Sequence, residues 1–167
     1  MVGALALRID HIGSTSVPGL AAKDVIDTQI TVVDERAMNE AAERLDRAGW
    51  SVTRAVMTDH IAPGGPPDAR EWVKRFGREP PDHRRVNLHI RIAGRANQRY
   101  ALLFRDYLRA HPTAAAAYAA FKRRAAALLP NDLNAYADLK DPVCDLVYLP
   151  AEDWAARTAW TPGPADA

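Results

Sequence analysis

Apolar and polar positions alternate in two stretches of the chain and recur at helical spacing in several others. Leu5 to His11 alternates with Leu5, Leu7, Ile9 and His11 on one side, which suits a half-buried strand that ends at Gly13. Residues 14–22 read as a turn and a short helix interrupted by Pro18-Gly19. Val25 to Val33 is rich in β-branched residues and reads as a buried strand. Asp34 is a good N-cap for the helix that follows. Apolar residues at 37, 38, 41, 42, 45 and 48 have helical spacing, and Gly49 supplies the stop.

A strand is expected at 50–57. Residues 58–84 then form a long connection rich in Pro and Gly, with a helical turn around 71–76. Val86 to Ile92 alternates cleanly: Val86, Leu88, Ile90 and Ile92 face one way, and Asn87, His89 and Arg91 the other. That is a strand with one covered face and one polar working face. Asn97 can cap a helix to Arg109, and Pro112 can open another to Leu129. Residues 132–140 and 142–149 look helical, Pro150 breaks the run, and 151–158 adds a final turn or two. Strands early and long helices late predict an α+β fold, a small mixed β-sheet with helices packed against it and a mostly helical C-terminal half.

Length and composition change this picture little. With 167 residues and 48% apolar content, a single domain over residues 1–167 is expected. The chain carries 22 Lys and Arg against 21 Asp and Glu, so overall charge gives no strong nucleic-acid signal and none for an acidic membrane surface. The single cysteine, Cys144, can form neither an internal disulfide nor a Cys-based zinc site. No stretch approaches a membrane span, and the N-terminus is a poor signal peptide, so a cytoplasmic location is expected.

The chemistry concentrates in His11-Ile-Gly-Ser-Thr-Ser-Val-Pro-Gly-Leu-Ala-Ala-Lys-Asp-Val-Ile-Asp27. Gly13 lets the backbone come close to a ligand, and Ser14, Thr15 and Ser16 offer hydroxyls where a helix could begin, a combination suited to phosphate. Asp27 stands in an otherwise apolar strand, where an unpartnered carboxylate is costly. It is either a metal ligand or a structural group bonded to nearby backbone.

These residues resemble the signature of the GrpB family, within the nucleotidyltransferase fold superfamily. Asn87-Leu-His-Ile90, Leu103-Phe-Arg-Asp-Tyr-Leu-Arg-Ala-His-Pro112, and Tyr136 with Lys140 extend the resemblance from about residue 9 to about residue 158. The helical segment that family members usually carry before the first strand looks missing. The resemblance implies a small mixed sheet, a nucleoside triphosphate as substrate or ligand, a divalent ion such as Mg²⁺ or Mn²⁺, and nucleotidyl transfer to an acceptor. It also raises Arg105 to a phosphate or substrate contact, and Lys140, on a helix face with Tyr136, could reach a phosphate.

The superfamily pattern implied is a Gly-Ser turn, a strand bearing carboxylate-x-carboxylate, and a third carboxylate on a neighbouring strand. Asp27 takes the first position, but Gln29 stands at the second, and the third falls to His89 with Asn87 beside it. Asp24 points to the wrong strand face to compensate. Asp, Gln and His make a poor site for hard Mg²⁺ and suit a softer ion such as Mn²⁺ or Zn²⁺ better. His11 could add a ligand, and Arg91 shares the polar face of its strand.

Three functions follow. The first is a nucleotide-binding protein, with metal-dependent nucleotidyl transfer if the chemistry survives, in which Gly13 to Ser16 hold phosphate and Asp27, Gln29 and His89 hold the ion. The second is a non-catalytic accessory or folding module, the role that resemblance implies for GrpB-like domains joined to dephospho-coenzyme A kinase. The third is a metalloenzyme built on His11, Asp27 and His89. The plainer readings are a structural His11, a hydrogen-bonded buried His89, a solvated Arg105–Arg109 helix face, and Tyr136 packed under a snorkelling Lys140. The expected ligand is a nucleotide or another phosphorylated small molecule, and the oligomeric state is left open.

Overall fold

The computed structural model describes residues 1–166 except Arg54 and Val56, with the backbone alone at Leu133. Strand β1 (Arg8–Ile12) pairs antiparallel with β2 (Ile26–Val32), and β2 runs parallel to β6 (Val86–Ile92). Strand β5 (Val73–Arg78) lies antiparallel on the far side of β6, and the short β3 (Ser51–Val52) and β4 (Met57–Thr58) both pair antiparallel with it. The result is a six-stranded mixed sheet. Helix α1 (Glu35–Arg47) follows β2, and α2 (Ala96–Ala110), α3 (Pro112–Leu128) and α4 (Leu133–Thr158) follow the last strand. The α+β architecture expected from the sequence is therefore present.

The two faces of the sheet are chemically different because the strands alternate. Ile30 and Val32 of β2 join Leu88, Ile90 and Ile92 of β6 on one face, packed against Ala37, Met38, Ala41 and Leu45 of α1. Asp34 caps that helix by accepting from Ala37 N at 2.7 Å, a contact typically worth about 1 kcal/mol. The opposite face presents Asp27, Gln29 and Thr31 beside Asn87, His89 and Arg91, register-matched pair by pair. Helix α2 covers it with Asn97, Gln98 and Arg105, all buried. A polar layer thus lies between sheet and helix where an apolar core would be usual. Beyond that layer, Leu103 packs with Trp72, Tyr148, Ala151 and Ala155, and Leu108 packs with Val17, Leu20, Tyr118 and Ala119.

Five local expectations need correction. Residues 3–5 form a 3-10 turn, Leu7 is exposed, and β1 starts only at Arg8. The strand expected at 50–57 is present only as β3 and the start of β4, and its positions 54 and 56 lie outside the described residues. The segment read as loop with a turn at 71–76 holds a 3-10 turn at Ala69–Trp72 and then β5. Its charges on both faces hid the strand. Arg95, not Asn97, stands at the N-cap position of α2, without a side-chain capping bond; Asn97 is buried and donates to Asp59 Oδ2 and to Val73 O. Helix α4 runs unbroken through Pro142 and Pro150. Each proline forfeits one backbone bond, and apolar packing on both sides of each, through Val143, Cys144, Val147, Tyr148, Ala151 and Ala155, holds the helix together. No helix among the described residues is long and apolar enough to cross a membrane.

Candidate functional site

Gly13 ends β1 with φ +69° and turns the chain into the 3-10 turn Ser14–Ser16. A Cβ on Gly13 would stand 2.4 Å from Asp27 Oδ2, so a glycine is required here by both the backbone and the neighbouring carboxylate. Ser16 is buried: its hydroxyl donates to Gly13 O at 2.6 Å, while its carbonyl accepts from Arg109 Nε and Nη2 at 2.9 and 2.8 Å. Gly13 and Ser16 therefore build the turn. Ser14 and Thr15 face outward into a cavity of about 390 Å³.

Asp27 stands at the start of β2, register-paired with Ile12 on one side and Asn87 on the other. Asn87 Nδ2 donates to Asp27 Oδ1 at 2.7 Å, and His89 Nε2 lies 3.8 Å from the same oxygen. Burial works to raise the Asp27 pKa, but His89 and Asn87 outweigh it and hold the carboxyl below its ordinary value, so it is ionised at neutral pH. His89 is pushed down to about 4 by burial, against the pull of Asp27, and is neutral at pH 7. Its ring meets Phe76 edge-on at 5.3 Å, and its Nδ1 has no hydrogen-bond partner among the described residues.

Gln29 is fully committed elsewhere. Its Oε1 accepts from Arg91 Nη1 at 2.7 Å, and its Nε2 donates to Gln98 O at 3.2 Å. Arg91 in turn donates through Nε to Asp59 Oδ2 at 2.9 Å, and Lys74 pairs with the other oxygen of Asp59. Although burial opposes it, the charges of Arg91 and Lys74 hold the Asp59 carboxyl well below the usual carboxylate range. This network engages Gln29, which stands at the position of the second metal-binding carboxylate.

The residues present do not fit a two-metal centre. Asp27 supplies one carboxylate, with Oδ1 accepting from Asn87 and Oδ2 pressed against Gly13. The amide oxygen of Gln29 is occupied by a guanidinium. His11 is register-paired with Thr28, which alternates to the face opposite Asp27, and its Nε2 bonds Thr15 Oγ1 at 2.8 Å. Among the described residues no three His, Cys, Asp or Glu side chains converge on a point that a metal ion could occupy. The trio of His11, Asp27 and His89 is not assembled as a ligand set.

What surrounds Asp27 instead is positive charge. The cavity is lined by Lys23, by Tyr118, Lys122 and Arg123 of α3, and by Tyr136 and Lys140 of α4, with Asp27 the only acidic wall residue among the described residues. Lys122 Nζ donates to Ser14 Oγ at 2.6 Å and sits 4.8 Å from the Tyr118 ring centroid. Burial, helped by the nearby charge of Lys140, pushes the Lys122 ammonium down to about 8. Lys23 Nζ lies 4.9 Å from the Tyr136 ring centroid. A hollow of about 490 Å³ between α1 and β3 is larger, but Glu43, Asp46 and Arg75 give its walls mixed charge.

Of the residues singled out in the sequence, Ser14, Thr15, Asp27, Asn87 and Lys140 line the cavity. Gly13, Ser16, Gln29, His89 and Arg91 stand behind it as support. Arg105 is elsewhere: buried beside β1, it donates to Asp106 Oδ1 at 2.7 Å, to His11 O at 3.1 Å and to Asp166 Oδ2 at 3.3 Å. Its charge is spent inside the protein, which corrects its reading as a phosphate contact. Sequence reasoning missed Lys23, Lys122 and Arg123. The one sequence signal for Lys122 is its i+4 spacing from Tyr118 in an otherwise alanine-rich helix.

Comparison with known proteins places this architecture. Over 176 aligned residues the chain is 41% identical to a dephospho-CoA kinase of Mycolicibacterium paratuberculosis, covering 96% of this chain and 42% of that protein. It is 38% identical to the dephospho-CoA kinase of Mycobacterium leprae, again covering 42% of it. The chain thus spans about two fifths of the length of these relatives. It is 36% identical to a UPF0157 protein of Streptomyces coelicolor, over 81% of this chain and 63% of that one. The crystal structure of the conserved protein GrpB from Enterococcus faecalis superposes with a TM-score of 0.69 at 27% identity, covering 92% of this chain and 86% of that one. The family model for GrpB protein matches residues 1–149, and the chain belongs to the GrpB family.

Proposed function

We propose that this protein binds a phosphorylated small molecule of the nucleoside phosphate class in the cavity between the Ser14–Ser16 turn, α3 and α4. The observation that carries this reading is four basic side chains, Lys23, Lys122, Arg123 and Lys140, around one cavity, none with a carboxylate within ion-pair distance among the described residues. Cations left unpaired around a concave surface favour a multiply charged anion. Ser14 and Thr15 add hydroxyls, and the Tyr118 and Tyr136 rings add flat apolar walls of the kind ligand pockets use. Nucleotidyl transfer is not part of the proposal, because the side chains around Asp27 do not form the expected ion-binding set.

A thermal-shift series with ATP, GTP, CTP, UTP and inorganic tripolyphosphate tests this. A ligand that binds only the folded state adds about 2.7 kcal/mol at a hundredfold excess over its dissociation constant, so binding registers as a raised melting temperature. The reading predicts stabilisation by at least one nucleotide, and no shift with any of the five contradicts it.

One observation favours a second, compatible role. Relatives named dephospho-CoA kinase carry a segment similar to nearly all of this chain, with more than half of their length outside it. The protein could act beside such a kinase as an accessory or folding module. A higher refolding yield of a separately produced kinase portion in the presence of this chain supports that role, and an unchanged yield opposes it.

A further inference from the structure

Lys122 is a buried ammonium whose partners are a neutral hydroxyl, Ser14 Oγ at 2.6 Å, and the face of Tyr118. No carboxylate pairs with it among the described residues, although the Asp27 charge lies near enough to act on it. A buried cation without an anionic partner is costly, and the open cavity beside it is where that partner can come from. Ser14 belongs to the turn that would touch phosphate, and Asp27 is the carboxylate that would hold an ion. Lys122 therefore brings positive charge onto the turn, in the same cavity whose wall holds Asp27.

We infer that the cavity binds its phosphate ligand without a divalent ion, with the Lys122 ammonium, held against Ser14 in the cavity that Asp27 also lines, as the resident cation in the metal's place. This inference rests on the phosphate-binding reading above. It accounts for three features together: Gln29 is bonded to Arg91, His89 is half-buried and neutral, and the basic residues of α3 and α4 line the cavity beside the turn. A divalent ion would have to enter beside a fixed ammonium with one carboxylate to hold it. Like charges at that range repel, and the protein supplies too few hard oxygen ligands to offset the repulsion.

The test is equilibrium titration of the full chain with tripolyphosphate and with ATP, in EDTA and in excess Mg²⁺ or Mn²⁺. Saturable binding in EDTA, no tighter when the ion is added, is the expected result. Lys122→Gln should weaken binding about tenfold or more, as expected for loss of a charge-assisted contact, and Lys122→Arg should restore most of it. Binding that appears only with Mg²⁺ or Mn²⁺ overturns the inference and leaves the phosphate-binding reading standing. Binding in neither condition overturns both. Unchanged affinity in a folded Lys122→Gln protein also overturns the assignment, and the wild-type titration decides the matter if that variant does not fold.

Discussion

The backbone of Gly13 lies so close to the carboxylate of Asp27 that an added Cβ would meet Oδ2 at 2.4 Å. The turn and the carboxylate, read from sequence as two separate halves of a site, are one packed unit. The glycine makes room for the protein's own anion before any ligand arrives.

Gly13→Ala should therefore destabilise the fold. It places a side chain at φ +69° and drives it into Asp27, which together should cost about 1–3 kcal/mol or more. Urea denaturation reads this directly, and a variant as stable as the parent would show that the turn relaxes freely.

His89 gives the protein an acid-sensitive core. Its folded pKa is lowered to about 4, so between that value and the ordinary 6.5 the unfolded chain binds more protons than the folded one. Stability contributed by the neutral imidazole is present above about pH 6.5 and is lost as pH falls toward 4, by an amount on the order of 3 kcal/mol. His89→Gln should flatten the stability profile between pH 6.5 and 4, measured by denaturant midpoints at stepped pH. A profile equally steep in the variant would mean that another group titrates there.

Arg105 should matter for folding and not for the ligand. Only 3% exposed, it serves Asp106, Asp166 and the His11 carbonyl, and its Nη1 lies 3.7 Å from the fully buried Asp10. Arg105→Gln should cost about 3–5 kcal/mol, the usual penalty for breaking a buried ion pair, while tripolyphosphate affinity of the folded fraction stays within about twofold. A selective loss of affinity with unchanged stability would return Arg105 to the binding site.

The contrast between Arg105 and Lys122 shows what the sequence could carry. Strand β6 was legible to the residue because Val86–Ile92 alternates without exception. Helix α1 was legible because its cap, apolar spacing and stop agree. The turn from Gly13 to Ser16 and its neighbour Asp27 were found because they are close in the chain. Strand β5 was hidden because Lys74, Arg75 and Arg78 put charge on both of its faces, and Lys74 is used against Asp59. Prolines suggested breaks in α4 that packing on either side overrides. Charges whose partners are remote in sequence defeated local reasoning altogether: Arg105 meets Asp10 and Asp166 across the fold, and Lys122 reaches Ser14 from 108 residues away.

The role of Asp27 separates the two accounts of the cavity most directly. If a divalent ion bridges Asp27 to phosphate, removing the carboxylate charge abolishes binding. If Lys122 and its basic neighbours bind the anion alone, Asp27 repels the ligand, and Asp27→Asn, which can still accept from Asn87, relieves that repulsion. The decisive measurement is the dissociation constant of tripolyphosphate for the wild type and for Asp27→Asn, in EDTA near pH 7. The present account predicts binding about threefold to tenfold tighter in the variant, and an unchanged or weaker affinity would contradict it.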